Sequence, residues 1–131
     1  MPKDLPARSR CPIATALDII GDKWTLVVVR DMIAGRRRFS EFLESPEGIK
    51  RNILTDRLKR LEAFGILRRH RYQERPERFE YRLTKRGAAL LPVIQAIAVW
   101  GHATVPETWE PGPDFLAAKP DDFVSDKDDT P

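Results

Sequence analysis

The sequence predicts a mainly α-helical domain that carries one small β-hairpin. Its 131 residues suit one domain of ordinary size, and 41% of them are hydrophobic, enough to build a core. Apolar residues recur at helical spacing over much of the chain, with glycines where several helices would end. After Gly65 the period changes to the alternation that a half-buried strand shows.

The first two helices are predicted from their end signals. Residues 13–20 place apolar side chains on one face, and Pro12 stands where a first-turn proline belongs. Asp22 is suited to cap a second helix over residues 23–34. The valine run within it, 27–29, would also suit a strand, but we interpret it as helical.

A short helix and a longer one follow. Ser40 is predicted to cap a third helix over residues 41–44, which ends in a turn over 45–48. The fourth helix is predicted from about residue 50 to 64, because three leucines recur along one face and a glycine follows. These leucines are Leu54, Leu58 and Leu61.

The hairpin and a last helix complete the domain. Strands are predicted over residues 66–72 and 79–83, joined by a charged, solvated tip over 73–78. The last helix is predicted over residues 84–101, with a bend at Pro92. Because it is apolar on most sides, it needs two surfaces to bury it.

The two ends of the chain have a different composition. Residues 1–10 are predicted to form a flexible arm, 11–105 the folded domain, and 106–131 an acidic, proline-rich, disordered tail. The unbroken apolar runs are far shorter than the roughly 18 residues that span a bilayer, and the N-terminus lacks a secretory signal. We therefore expect a cytoplasmic protein with no membrane partner.

Positive charge is concentrated in the middle of the chain. The net charge is only +3, but residues 36–86 hold 16 basic and eight acidic side chains. Such an excess over one segment is typical of a surface that binds a polyanion.

The order of short helix, turn, longer basic helix and hairpin is that of a winged helix-turn-helix, whose second helix enters the major groove of double-stranded DNA. The face opposite the leucines is predicted to contact DNA through Lys50, Arg51, Asn52, Thr55 and Lys59. Arg51 could bind guanine and Asn52 adenine, each contributing about 1–3 kcal/mol of discrimination. Alternatively, these side chains only keep a helix face solvated.

Further contacts are predicted beside this helix. At the hairpin tip, Arg75 and Arg78 are suited to phosphates or to the minor groove. Phosphate contacts are also predicted at the starts of the second and third helices, from Lys23, Arg36, Arg37, Arg38 and Ser40. The alternative is ordinary solvated charge and, for Ser40, capping alone.

Several separated motifs then occur in a recognisable order. They are Cys-Pro at 11–12 with Ile-Gly-Asp-Lys-Trp at 20–24, Arg-Phe-Ser-Glu at 38–41, Ile-Leu-Thr-Asp-Arg-Leu-Lys-Arg-Leu-Glu at 53–62, Glu-Tyr-Arg-Leu-Thr at 80–84 with the glycine at 87, and Trp-Gly at 100–101. Over about residues 10–102 the chain resembles the HxlR-type transcriptional regulators. It departs from them where Lys50, which has no side-chain oxygen for capping, begins the recognition helix.

The resemblance implies a dimeric winged-helix regulator of bacteria, related in architecture to the MarR group. We expect a homodimer that uses the last helix and part of the first, through Ile13, Leu17, Ile94, Ile97 and Trp100. It would bind a pseudo-palindromic operator with half-sites about one helical turn apart. Repression is favoured over activation.

Cys11 is the only cysteine of the sequence. In several members of the family that this chain resembles, a cysteine at the matching place senses oxidants or electrophiles. Here it precedes a helix whose dipole favours a thiolate, Arg8 and Arg10 are near in sequence, and any disulfide must join two chains. A half-buried structural thiol is the favoured interpretation.

Other chemistry has little support in the sequence. His70 and His102 are isolated, so no metal is predicted, and neither a cofactor motif nor an acid and base pair is present. Trp24 and Trp100 are interpreted as core or interface aromatics, with a pocket for a small-molecule effector as the less favoured alternative. Two other functions are considered: a winged helix that binds an acidic protein, and a thiol-dependent enzyme built on Cys11 without an evident base.

Overall fold

The structure is a computed structural model that describes residues 8–124. Its helices are α1 (Pro12–Ile20), α2 (Thr25–Ile33), α3 (Phe39–Phe42), α4 (Arg51–Ala63), α5 (Lys85–Ala88), α6 (Leu91–Thr104) and α7 (Pro113–Ala117). Between α4 and α5 lie strands β1 (Leu67–Glu74) and β2 (Glu77–Leu83), and a 3-10 turn, Pro120–Phe123, follows α7. The predicted mainly helical fold with one hairpin is confirmed. Residues 1–7 of the predicted arm and 125–131 of the predicted tail lie outside the described residues.

The core lies beneath α4. Leu54, Leu58 and Leu61 are buried, as their spacing predicts, and belong to one apolar cluster with residues of α2, α3 and the hairpin. From these elements come Val28, Val29, Met32, Phe42, Leu67 and Leu83. The valines of α2 are helical, so the strand alternative for this run is wrong.

The turn before α2 is built around Asp22. Its carboxylate accepts hydrogen bonds from the amides of Trp24 at 3.0 Å and Thr25 at 3.1 Å, and from the Thr25 hydroxyl. Asp22 thus accepts from two amides of the turn that leads into α2, as a capping carboxylate would, but the residue before the helix is Trp24, which makes no side-chain cap. The regular helix starts two residues later than predicted, at Thr25, because Asp22 holds residues 23 and 24 in a turn.

The backbone amides at the start of α3 donate to a glutamate and not to Ser40. The Glu41 carboxylate accepts from the amides of Arg37 at 2.7 Å and Arg38 at 2.8 Å, and Ser40 lies exposed within the helix. The predicted cap at Ser40 is wrong, because the helix begins at Phe39 and a residue inside its first turn cannot cap it.

The hairpin of β1 and β2, hereafter the wing, is longer than predicted. β1 and β2 pair from Leu67 with Leu83 to Glu74 with Glu77, so the tip contains only Arg75 and Pro76. Charged side chains do not interrupt the pairing, because the backbone makes it and the side chains face solvent. The loop before α3 joins the open edge of β2, where the Tyr81 amide donates to the Arg37 carbonyl at 2.7 Å.

The last predicted helix is divided in two. A turn at residues 89–90 separates α5 from α6, and Pro92 lies in the first turn of α6. The prediction of one helix bent at Pro92 is replaced by two helices, and Pro92 in the first turn of α6 removes an amide that would be unpaired in any case. By length and composition alone, the 20-residue run Lys85–Thr104 is apolar enough to cross a membrane. Two of its apolar residues, Leu91 and Ile94, are buried inside the protein, which accounts for part of its apolar character.

Part of the predicted disordered tail is ordered. α7 and the following 3-10 turn place Phe115 and Phe123 against the core. The Gln95 amide of α6 donates to the carbonyls of Phe115 and Ala118, each at 2.9 Å. The expectation of disorder does not hold over residues 113–123, because two aromatic side chains and a polar anchor offset the chain entropy.

A charged cluster fixes the turn between α3 and α4. The Arg30 guanidinium of α2 donates to both carboxylate oxygens of Glu47, at 2.7 and 2.8 Å, and to the Ser45 hydroxyl at 3.0 Å. It also pairs with the buried carboxylate of Asp31 at 2.9 Å. Hydrogen bonds from Arg30 lower the pKa of Glu47 to about 2.

We predict that replacing Glu47 with glutamine lowers stability at neutral pH and that this loss shrinks in acid. Because the pKa of Glu47 is lower in the folded than in the unfolded protein, its contribution is present above the unfolded value and disappears between about pH 5 and pH 2. Urea unfolding of both proteins at pH 7 and pH 3 measures the change. Glu44→Gln, at an exposed glutamate nearby, is the control. An equal wild-type-to-variant difference at both pH values would contradict the prediction.

Candidate nucleic-acid interface

One face of α4 carries the side chains predicted to contact DNA. Lys50, Arg51, Asn52, Thr55 and Lys59 are all exposed, whereas the leucines of α4 are buried; Arg51, three residues before Leu54, lies at the border between the two faces. Lys50 precedes the helix in extended conformation and makes no side-chain cap, as its chemistry predicts. The structure thus brings the five predicted residues together on one solvent-facing surface, hereafter the α4 surface.

Two of these side chains have intramolecular contacts. The guanidinium of Arg51 lies 5.4 Å from the ring centre of Phe39 in α3, a cation–π distance. Thr55 donates its hydroxyl to the Arg51 carbonyl at 2.9 Å, one turn back in its own helix. Arg51 is therefore partly oriented before any ligand binds.

The hairpin carries further exposed basic residues. Arg75 and Arg78 are exposed as predicted, although Arg78 belongs to β2 and not to the tip. The exposed arginines of β1 were not among the predicted contacts. Of these, Arg69 lies 4.3 Å from the ring centre of Phe79, and Arg71 pairs with Glu77 at 2.9 Å. Their alternation along the strand was the available signal.

The loop before α3 supplies fewer outward charges than predicted. Arg36 is half-buried and pairs with Asp31 at 3.0 Å, and half-buried Arg37 donates to the Met32 carbonyl at 3.0 Å. Both guanidiniums thus hold the loop to α2. Arg38 alone of the three is exposed, and it lies 4.0 Å from the ring centre of Tyr72 in the wing.

The start of α2 differs from the predicted phosphate site. The amides of Trp24 and Thr25 already donate to Asp22, so they are not available to an anion. Lys23 is exposed, but its ammonium lies 5.5 Å from the ring centre of Trp24.

Two further arginines of α4 face the neighbouring elements. Arg57 Nε donates to the Asp22 carboxylate at 2.8 Å, and Arg60 donates to the Asp18 carbonyl at the end of α1. The helical wheel places Arg57 beside the core, but its partner is 35 residues away in sequence and carries no local signal.

Cys11 and its surroundings differ from the favoured interpretation. The thiol is exposed, not half-buried, at the residue before α1. Arg8 pairs with Asp18 at 2.7 Å. A structural role in the core is therefore excluded for Cys11 within the single chain.

The predicted dimer residues separate into two groups. Ile13 and Leu17 of α1 and Ile97 and Trp100 of α6 are 50–70% exposed. Ile94 is buried instead and belongs to the apolar cluster that also contains residues of α2 and the hairpin. Trp24 packs partly buried against the core, so the two tryptophans have different environments.

The matching family profile and the curated relatives describe the same class of protein. The sequence profile described as HxlR-like helix-turn-helix matches residues 19–108. The uncharacterized HTH-type transcriptional regulator YybR of Bacillus subtilis is 38% identical over 98 residues, which are 75% of this chain and 78% of YybR. The uncharacterized HTH-type transcriptional regulator sll1512 of Synechocystis is 40% identical over 87 residues, 66% of this chain and 64% of that protein.

Solved structures of similar proteins share this architecture. PA1607 superposes with a TM-score of 0.71 at 33% identity, covering 93% of this chain and 89% of that one. The redox regulator HypR in its oxidized form gives a TM-score of 0.65 at 39% identity, covering 71% of this chain and 96% of HypR. The chain belongs to the HxlR-like helix-turn-helix family and is a winged-helix transcriptional regulator, not an enzyme.

Proposed function

We propose that this regulator is a cytoplasmic, homodimeric repressor that binds a pseudo-palindromic operator in double-stranded DNA. The observation that supports this most strongly is the α4 surface, where five polar or basic side chains are exposed on and just before a helix whose leucines are buried. A helix of this kind fits the major groove. Arg38 in the loop before α3 and Arg75 and Arg78 of the hairpin are also exposed, and we expect them to contact phosphates.

A second copy of the chain is the proposed partner of the exposed apolar side chains. Ile13 and Leu17 are one turn apart on α1, and Ile97 and Trp100 are one turn apart on α6. Large exposed apolar patches of this kind mark interaction sites. Twofold pairing through them would present two α4 surfaces to two half-sites.

We predict that Arg51→Ala and Asn52→Ala weaken operator binding and relax its base preference at one position of each half-site. Each loss corresponds to about 1–3 kcal/mol, because a bidentate contact to a base edge is removed. Lys59→Ala is expected to weaken binding to all sequences and to reduce the slope of log affinity against log salt by about 1. Gel shifts and fluorescence titrations with DNA from upstream of the coding region measure both effects.

Lys119→Ala is the matched control, since Lys119 is exposed but lies after α7, away from α4 in the sequence. It should leave affinity and salt slope unchanged. Affinity that does not depend on ionic strength would contradict the proposal, and equally weak binding to all duplexes would favour a protein partner of acidic character.

We predict that Leu17→Glu and Trp100→Glu convert the dimer to a monomer. Each places a charge in a surface that must lose water on pairing, which costs several kcal/mol when no partner charge is present. Sedimentation equilibrium at micromolar protein measures the change. Leu116→Glu, at an exposed leucine of α7, should leave the dimer intact; a wild-type protein that is itself monomeric would refute the pairing.

Regulation through Cys11 is a further part of the proposed function. The thiol is exposed at the start of α1, whose outer face carries proposed dimer contacts. An adduct there would alter the surface between two protomers. The structural relative HypR is described as a redox regulator, and this description supports the same kind of control here.

We predict that alkylation of Cys11 with iodoacetamide releases the operator, because the adduct adds bulk beside the proposed dimer surface. Mass spectrometry establishes complete modification, and gel shift measures release. Cys11→Ser should bind the operator and ignore the reagent. Full operator binding by completely modified protein would exclude a sensing role.

A further inference from the structure

An ion pair links the recognition helix to the turn before α2. Arg57 Nε lies 2.8 Å from Asp22 Oδ2, and the two side chains are 24% and 28% exposed, so both are partly shielded from water. Arg57 also contacts the exposed carboxylate of Asp56. The link connects α4 to a different element, because Asp22 lies between α1 and α2.

Asp22 is itself held firmly in place. Its carboxylate accepts from the amides of Trp24 and Thr25 and from the Thr25 hydroxyl, so it cannot move without disrupting the start of α2. Burial opposes its ionisation, but hydrogen bonds from Thr25 and Arg57 outweigh burial and lower the pKa of Asp22 to about 2. The carboxylate is therefore ionised at neutral pH and presents a fixed anchor to Arg57.

A second link lies one turn further along the same helix. Arg60 donates to the carbonyl of Asp18 near the end of α1. Arg57 and Arg60 therefore contact the α1–α2 region, while the five residues of the α4 surface are exposed. The buried leucines set the rotation of α4, and a polar contact of fixed geometry restricts its remaining tilt and slide.

We propose that Arg57 and Asp22 are positioning residues for DNA recognition: their ion pair fixes the orientation of α4, and specific operator binding requires it although neither side chain contacts DNA. This inference rests on the proposed DNA binding. Contacts with base edges demand exact placement, whereas non-specific attraction to phosphates tolerates small shifts of the helix. Loss of the pair should thus affect operator affinity and leave affinity for unrelated duplex nearly unchanged.

Asp22→Asn gives a test in which the two explanations predict opposite changes in operator affinity. The variant removes a negative charge, so simple electrostatics predicts tighter binding to DNA. A positioning role predicts weaker operator binding, roughly three- to thirtyfold, because the charged pair is lost while asparagine can still cap the first turn of α2. Fluorescence anisotropy with the operator and with an unrelated duplex of equal length measures both affinities.

Asp56→Asn is the matched control. Like Asp22→Asn, it removes one negative charge next to Arg57, but it leaves the 2.8 Å pair between Arg57 and Asp22 intact. We expect operator affinity to stay the same or to increase by about twofold at most.

Arg57→Gln provides the second test. It should weaken operator binding as Asp22→Asn does and leave the salt slope on unrelated duplex unchanged. Combining the two substitutions should weaken operator binding little further, because both remove the same interaction. Thermal unfolding by circular dichroism ensures that affinities are compared on folded protein.

The outcomes separate this inference from the proposed function. Wild-type protein that binds no DNA refutes the function. If wild type binds its operator, tighter binding by Asp22→Asn overturns the positioning role. A salt slope on unrelated duplex reduced by about 0.9 in Arg57→Gln would also overturn it and would make Arg57 a phosphate contact.

Discussion

The burial of three leucines on one face of α4 is the constraint on which the rest of the structure depends. Leu54, Leu58 and Leu61 lie in the core against α2, α3 and the hairpin, and side chains at this spacing must share one face of a helix. Once that face is fixed, Asn52, Thr55 and Lys59 point to solvent, and Arg51, three residues before Leu54, lies at the edge of the buried face and reaches Phe39. The apolar core therefore determines which polar residues a ligand meets, although it contacts no ligand itself.

The basic residues of this chain serve two different purposes. Arg30, Arg36 and Arg57 pair with carboxylates inside the fold, and Arg37 and Arg60 donate to backbone carbonyls. These side chains join α2 to the turn before α4, the loop before α3 to α2, and α4 to the α1–α2 region. A minority of the positive charge in the central segment thus supports the fold around the recognition helix, and the larger part is left on the surface. A count of basic residues alone would overstate the DNA-facing charge.

The last long helix divides its apolar side chains between the core and the exposed surface. The inner side of α6 buries Leu91 and Ile94, and Gln95 anchors residues 115–118 along another side. The remaining side keeps Ile97 and Trp100 exposed, together with Ile13 and Leu17 on α1. Burial within one chain does not account for these residues, so an intermolecular surface is the simplest explanation of a helix that is apolar on most sides.

The sequence by itself determined the order of elements, the buried face of α4, the acceptor role of Asp22 in the turn before α2 and the family motifs. Each of these follows from residues near one another in the chain, whose periodicity and capping chemistry are local. Only the tertiary structure decided that Ile94 is core, that Arg36 and Arg57 are paired, and that residues 113–123 pack against α5 and α6. These features depend on side chains brought together from distant positions, such as Asp22 and Arg57, and no local pattern encodes such a contact. Periodicity fixes which face of a helix is apolar, whereas the choice of partner for a charged side chain is made by the packing of the whole chain.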